Sequence, residues 1–224
     1  MLPAIGAIEA WIVDDTGYPK KGTHSVGVAR QYCGQLGKQD NCQVAVSLSV
    51  ANERASLPID YRLYLPREWA EDPVRRGKAG VPASVGFATK TTLALEQLKR
   101  ARSEQVPAGV VLADAGYGND ADFRDGISTL GLTYAVGIQG STTVWADGHD
   151  PLPPRGHWGR GRPGTRLRRD RTHQPIDVKS LAHALPGRAW RRIQWREAVP
   201  GRSLRASRAC GPRIATRCVP RSGS

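Results

Sequence analysis

The chain has 224 residues, 39% of them hydrophobic, which suffices for one domain with a real core and a smaller appendage. No apolar run approaches the ~20 residues of a membrane helix, and Met1–Gly6 lacks the basic start of a secretion signal, so a membrane protein is excluded and a cytoplasmic location is expected. The net charge of +13 is uneven: residues 1–150 hold 15 Lys+Arg against 17 Asp+Glu, whereas residues 151–224 hold 18 against 3, a near-neutral body with a basic tail suited to a polyanion.

Glu9–Val13 is a short apolar run halted by Asp14-Asp15-Thr16-Gly17, the pattern of a buried strand running into polar residues. Tyr18–Gly22 predicts a turn. Ser25–Tyr32 and Gln43–Val50 are both β-rich, joined through the glycine-containing segment Gln35–Asn41, and Ile59–Leu65 alternates as a third partner strand. Trp69–Val85, dense in Pro, Gly and charge, predicts a loop. Thr89–Gln105 predicts the best helix, with Leu95, Leu98 and Ala101 on one face. Gly109–Ala113 is a second buried strand stopping at Asp114. Asn119 or Asp120 is placed to cap a helix carrying Phe123, Ile127 and Leu130 on one side, closed by Gly131. Tyr134–Gln139 is the last core strand. Beyond residue 145 the pattern decays, with a short helix predicted over Lys179–Leu185 and a strand over Arg191–Arg196. The order predicts an α/β domain.

The four cysteines form no Cys-x-x-Cys pair and the five histidines no His-x-x-x-His pair, so neither a disulfide frame nor zinc is indicated; Cys33 and Cys42 fit as small buried hydrophobes. Gly159–Gly164 formally contains Gly-x-Gly-x-x-Gly, but Pro163 interrupts it and no strand leads into it. The same stretch places Arg160 and Arg162 around Gly161, an arrangement that can enter a narrow A·T minor groove or simply form a solvated loop.

The chemistry concentrates where two strands end in aspartate. If Asp14 and Asp114 leave neighbouring parallel strands, both carboxylates emerge at one sheet edge, where α/β folds build their sites. Carboxylates there hold Mg²⁺ or Mn²⁺, and a two-metal site activates a hydroxyl and stabilises the leaving oxygen at a phosphodiester. The bland alternative is two turn residues. Lys20 and Lys21, close behind Asp14 in sequence, are candidates to hold a DNA phosphate beside the metals.

Several blocks over residues 8–197 resemble one group of insertion-sequence transposases. Asp14-Asp15-Thr16-Gly17-Tyr18-Pro19-Lys20-Lys21-Gly22 and Ser25–Gly34 resemble the first-aspartate motif. Leu112-Ala113-Asp114-Ala115-Gly116-Tyr117-Gly118 resembles the second, and Tyr61–Pro66 and Gly137-Ile138-Gln139 are similar to further blocks. The resemblance implies a DDE-type transposase with a ribonuclease H-like mixed sheet and flanking helices, an Asp-Asp-Glu triad, and Mg²⁺ or Mn²⁺. It implies metal-dependent nicking and joining of DNA, with element ends and target DNA as partners, and a homo-oligomer or a full-length transposase as a further partner. Carried over, the first acid is Asp14, with Asp15 the alternative, and the second is Asp114.

The departures matter as much. The group's third acid lies in a tyrosine-arginine-glutamate-lysine motif that this sequence lacks; Glu197, in Trp195-Arg196-Glu197, sits in a strand-like segment and is not assigned that role. The expected organisation is a core over residues 1–145, the start of a loop-rich basic insertion over 146–197, and a tail over 198–224. That tail carries six arginines and no acid, and is expected to be disordered or read in a shifted frame. The expected function is a transposase fragment truncated at both ends and catalytically incomplete, the alternative being a non-catalytic DNA-binding remnant that inhibits full-length transposase.

Overall fold

A computed structural model of the chain describes residues 6–146, 148–154, 167–193 and 207–210, the stretches 191–193 and 207–210 by backbone alone. It divides into two units, Met1–Ile138 and Gln139–Ser224.

The first unit is built on a six-stranded mixed sheet. Its strands are β1 (Ala10–Pro19), β2 (Ala29–Cys33), β3 (Lys38–Ala51), β4 (Ser56–Leu63), β5 (Val110–Ala113) and β6 (Tyr134–Val136). The order is β2-β3-β1-β5-β6, with β4 also paired to β3. β1 runs antiparallel to β3 and parallel to β5, which is in turn parallel to β6. The expected α/β order is therefore observed, as a mixed sheet with flanking helices of the ribonuclease H-like kind.

Two boundaries differ from expectation for a physical reason. β1 does not stop at Asp14; it continues to Pro19 because β3 is 14 residues long and offers partners as far as Cys42. The segment expected as loop contains two short helices, α1 (Arg67–Ala70) and α2 (Pro73–Lys78). Its prolines act as starters: Pro73 occupies the first helical turn behind Asp72, whose carboxylate accepts the Arg75 N–H at 2.8 Å. Trp69 anchors the segment, buried and donating from its indole to the Val28 carbonyl at 2.8 Å. The Arg75 guanidinium stacks 3.7 Å over its ring.

Helix α3 (Lys90–Ser103) is capped by Thr89, whose hydroxyl accepts the Thr92 N–H, and carries Arg100 and Arg102 against its negative end. α4 (Ala115–Gly118) and α5 (Ala121–Thr129) follow β5, each capped by an aspartate, Asp114 and Asp120. Leu93, Ala94 and Leu98 of α3 and Phe123 and Ile127 of α5 pack on Trp11, Val13, Val46, Leu48, Val50 and Val111. Alternation along the strands then sends Ile12, Asp14 and Thr16 to the opposite sheet face. Cys33 and Cys42 are buried free thiols beside Val44, as expected. Burial and the neighbouring Cys33 push the Cys42 thiol up to about 11, so it stays protonated and inert.

In the second unit β7 (Thr143–Val144) pairs with β8 (Ile176–Asp177), which leads directly into α6 (Val178–Ala184), capped by Asp177. β9 (Trp190–Ile193) pairs antiparallel with β10 (Ser207–Cys210). The remainder of the segment expected to be a tail lies outside the described residues. Among the described residues no helix is long and apolar enough to cross a membrane.

Candidate active site

The register of the two central parallel strands pairs Val13 with Ala113, so Asp14 and Asp114 are the next residues on neighbouring chains. Parallel neighbours lie ~4.8 Å apart. Both carboxylates are exposed at the carboxyl edge of β5. Each is oriented by a local backbone bond: Asp14 Oδ1 accepts the Asp15 N–H at 2.7 Å, and Asp114 Oδ1 accepts the Gly116 N–H at 2.9 Å. Burial pushes the Asp14 carboxyl above its ordinary range, and the negative charges of Asp15 and Asp114 add to that. A like charge that resists ionising beside its neighbour is what a cation would relieve.

Asp15 has a different environment. It stands on the helix-covered face, where Lys90 at the start of α3 donates to its Oδ2 at 2.5 Å. Lys90 also lies 5.7 Å from the Tyr64 ring centroid. The two adjacent aspartates are thus split by strand alternation: one neutralised by a lysine, one paired with a second acid. Lys90 was not singled out by sequence reasoning; its signal is a lysine at the first position of a capped helix following the β-rich region.

The segment after Asp114 is shaped by close approach. A Cβ on Gly118 would overlap the Gly137 carbonyl oxygen and come 2.9 Å from the Val136 Cβ. One on Gly137 would come 2.9 Å from the Ala115 nitrogen. Both positions must be glycine for α4 to lie on the end of β6 and so hold its N-cap, Asp114, in place. Tyr117, just before Gly118, is 3% exposed, its ring 5.8 Å from Phe123, and its hydroxyl has no hydrogen-bond partner.

The other candidates are not gathered here. Lys20 and Lys21 follow Pro19, and six residues of strand place Lys20 about 20 Å along β1 from Asp14. β1 runs past Asp14 instead of turning, and Lys20 is tied to Asn41, whose side chain donates to its carbonyl at 2.7 Å. Arg160, Arg162 and Glu197 lie outside the described residues. Among the described residues no group of three or more His, Cys, Asp or Glu is placed to hold a metal ion.

The sequence profile of the DDE superfamily endonucleases matches residues 1–202. The chain belongs to this family. It is 34% identical over 134 residues to the "Probable transposase for insertion sequence element IS701" of Microchaete diplosiphon, an alignment covering 59% of this chain and 32% of that protein. The chain thus spans about a third of the length of that curated relative. No solved structure matches it. The resemblance drawn from the aspartate motifs is borne out at the level of family and fold.

DDE superfamily endonucleases generally use divalent metals. Asp14 and Asp114 offer hard oxygen donors, suited to an ion that keeps most of its own water. The Asp14 shift carries a pH prediction for the metal-free DDE core. A carboxyl whose folded pKa is raised favours the fold below its unfolded value of 3.8, and that benefit is lost as pH rises through the higher folded value. Asp14→Asn should therefore raise the melting temperature in EDTA at neutral pH and confer no such gain near pH 3. Thermal melts across pH 3–8 check this, and a neutral-pH melting temperature below wild type would contradict it.

Proposed function

We propose that this chain is the catalytic core of an insertion-sequence transposase, in which Asp14 and Asp114 hold Mg²⁺ or Mn²⁺ for cleavage and joining of DNA strands. The carrying observation is the parallel register of β1 and β5, which makes two aspartates from distant motifs neighbours while turning Asp15 away to Lys90. The ion would polarise the scissile phosphodiester and lower the pKa of an attacking water or 3′-hydroxyl. The protein's part is to fix two carboxylates at one edge, with a glycine-packed helix start behind Asp114. Lys20 and Lys21, exposed about 20 Å away, suit contacts to duplex phosphates beyond the reacting bond. Arg160 and Arg162 belong to the basic segment that would add non-specific affinity, falling steeply with salt. The partners are element ends and target DNA, with a second copy or a longer transposase chain completing the assembly. The core is assigned to residues 1–145, with 146–197 opening an inserted region.

Two carboxylates hold one ion loosely; a two-metal site needs further anionic ligands to fix the second and offset charge repulsion. Such a ligand acts in the transition state, so its absence lowers turnover more than binding. The 224-residue chain alone is therefore expected to bind DNA weakly and neither nick nor join element ends in Mg²⁺ or Mn²⁺. The same core within a chain of the relative's length is expected to join them. Joining by the 224-residue chain, lost on Asp114→Ala, would show that it supplies a third ligand, with Glu197→Gln the first substitution to try. A long chain that joins ends equally well with Asp114→Ala would sink the assignment itself.

A further inference from the structure

Strand β4 turns its charged side chains to the helices and a tyrosine away from them. Asp60 is ion-paired with Arg100 of α3, and Arg62 with Glu96 of α3 at 3.3 Å. Tyr61 between them therefore projects from the opposite sheet face, the face that also carries Asp14, and it is 54% exposed there. The register sets its neighbours. Tyr61 pairs with Ser47 of β3, and Ser47 pairs with Asp14 of β1. The Ser47 hydroxyl donates to the Asp14 carbonyl at 3.3 Å. Asp14, Ser47 and Tyr61 thus form one row across the face, with Tyr61 two strands, or about 10 Å, from Asp14. Alternation along β1 places Tyr18, 39% exposed, on the same face about 13 Å from Asp14.

The composition of this face points to its occupant. Farther out it carries the exposed side chain of Arg30, which pairs with Asn41. Among the described residues of β1 to β4, no carboxylate other than Asp14 lies on it between Asp14 and Arg30. A covering protein layer calls for a continuous apolar surface, whereas here Ser47 and Gln43 flank the tyrosines. Exposed flat rings among polar groups, with a cation and no opposing acids, suit a polyanion that has π-faces to offer. Duplex DNA hides those faces in its own stack. An unpaired strand presents them, and aromatic side chains on open sheets take them up.

We propose that this sheet face is a platform for unpaired DNA, on which Tyr61 and Tyr18 stack the bases flanking the phosphodiester held at Asp14 and Asp114. The inference rests on the reading of those two aspartates as the reacting centre. Stacking of this kind tolerates any base, so the platform positions the strand without reading its sequence.

The test uses the 224-residue chain and fluorescence anisotropy with two probes, a labelled oligothymidylate and a labelled duplex of mixed sequence, each titrated over a range of salt. Tyr61→Leu and Tyr18→Leu are each expected to weaken oligothymidylate binding ~10-fold. Duplex affinity and the salt slope should stay as in the wild type, because no cation is lost. Tyr61→Trp should bind oligothymidylate at least as tightly as the wild type. Four outcomes overturn the proposal: no saturable binding of oligothymidylate, unchanged affinity in both leucine variants, an equal loss on the duplex, or a Tyr61→Trp variant as weak as Tyr61→Leu. The last would mark Tyr61 as structural. Mn²⁺ titration of Asp114→Ala is run in parallel. If Asp114→Ala retains wild-type Mn²⁺ binding, the aspartate assignment fails and the platform's role with it. If that binding is lost while the leucine variants bind as wild type, the assignment survives and the platform does not.

Discussion

Asp114→Ala is expected to remove saturable Mn²⁺ binding, and Asp14→Ala to do the same, each weakening it by about 100-fold or more, or ~2.7 kcal/mol. Asp15→Asn should stay within about tenfold of wild type. The contrast follows from the split environment of the adjacent aspartates. Asp14 stands beside Asp114 on neighbouring parallel strands, whereas Asp15 is turned to the other face and held by Lys90 at 2.5 Å. Losing Asp15 leaves Lys90 without its carboxylate. Because that pair is about a third exposed, the cost is about 1 kcal/mol of stability, with no ligand lost. Calorimetric titration of the three variants separates the readings. A large loss from Asp15→Asn with little from Asp14→Ala would move the first ligand by one residue.

The largest stability effect is expected at Gly118. An alanine there requires α4 to lift from the end of β6, because its Cβ would overlap the Gly137 carbonyl oxygen and press on Val136. Neither neighbour is a flexible side-chain tip that could swing away. Overpacking of this kind costs about 1–3 kcal/mol and occasionally more. Since Asp114 is the N-cap of the displaced helix, Mn²⁺ affinity should fall together with stability. Gly22→Ala is the control: a Cβ at that position meets nothing within 4 Å, so its change should stay within about 0.5 kcal/mol. Urea unfolding of both variants checks the pair, and a Gly118→Ala variant as stable as Gly22→Ala would refute the packing account.

Much of this was legible in the residues. The apolar runs ending at Asp14 and Asp114 mark the two central strands, and the periodicity around Leu98 and Phe123 marks the covering helices, because burial of one face imposes a spacing that survives in sequence. What stayed hidden depends on partners distant in the chain. β1 extends to Pro19 only because β3 is there to pair with it. The helices around Trp69 look like loop because their prolines start helices as readily as they break them. Strand alternation alone assigns Asp14 and Asp15 to opposite faces, but which face the helices cover requires the fold. Lys90 acquires meaning only when α3 is seen against the strand ends.

The union of β1 with β5 has a consequence for the newly made chain. Asp14 and Asp114 are 100 positions apart, so at ~5–20 residues per second roughly 5–20 s of synthesis separate them. Until β5 emerges and docks, β1 presents an unpaired edge on one side, open to mispairing with other strands. During that interval the proposed carboxylate pair does not exist. On the proposed reading, the pair of carboxylates that would hold the ion is withheld from the nascent polypeptide and forms in a single step, when the second aspartate reaches the first.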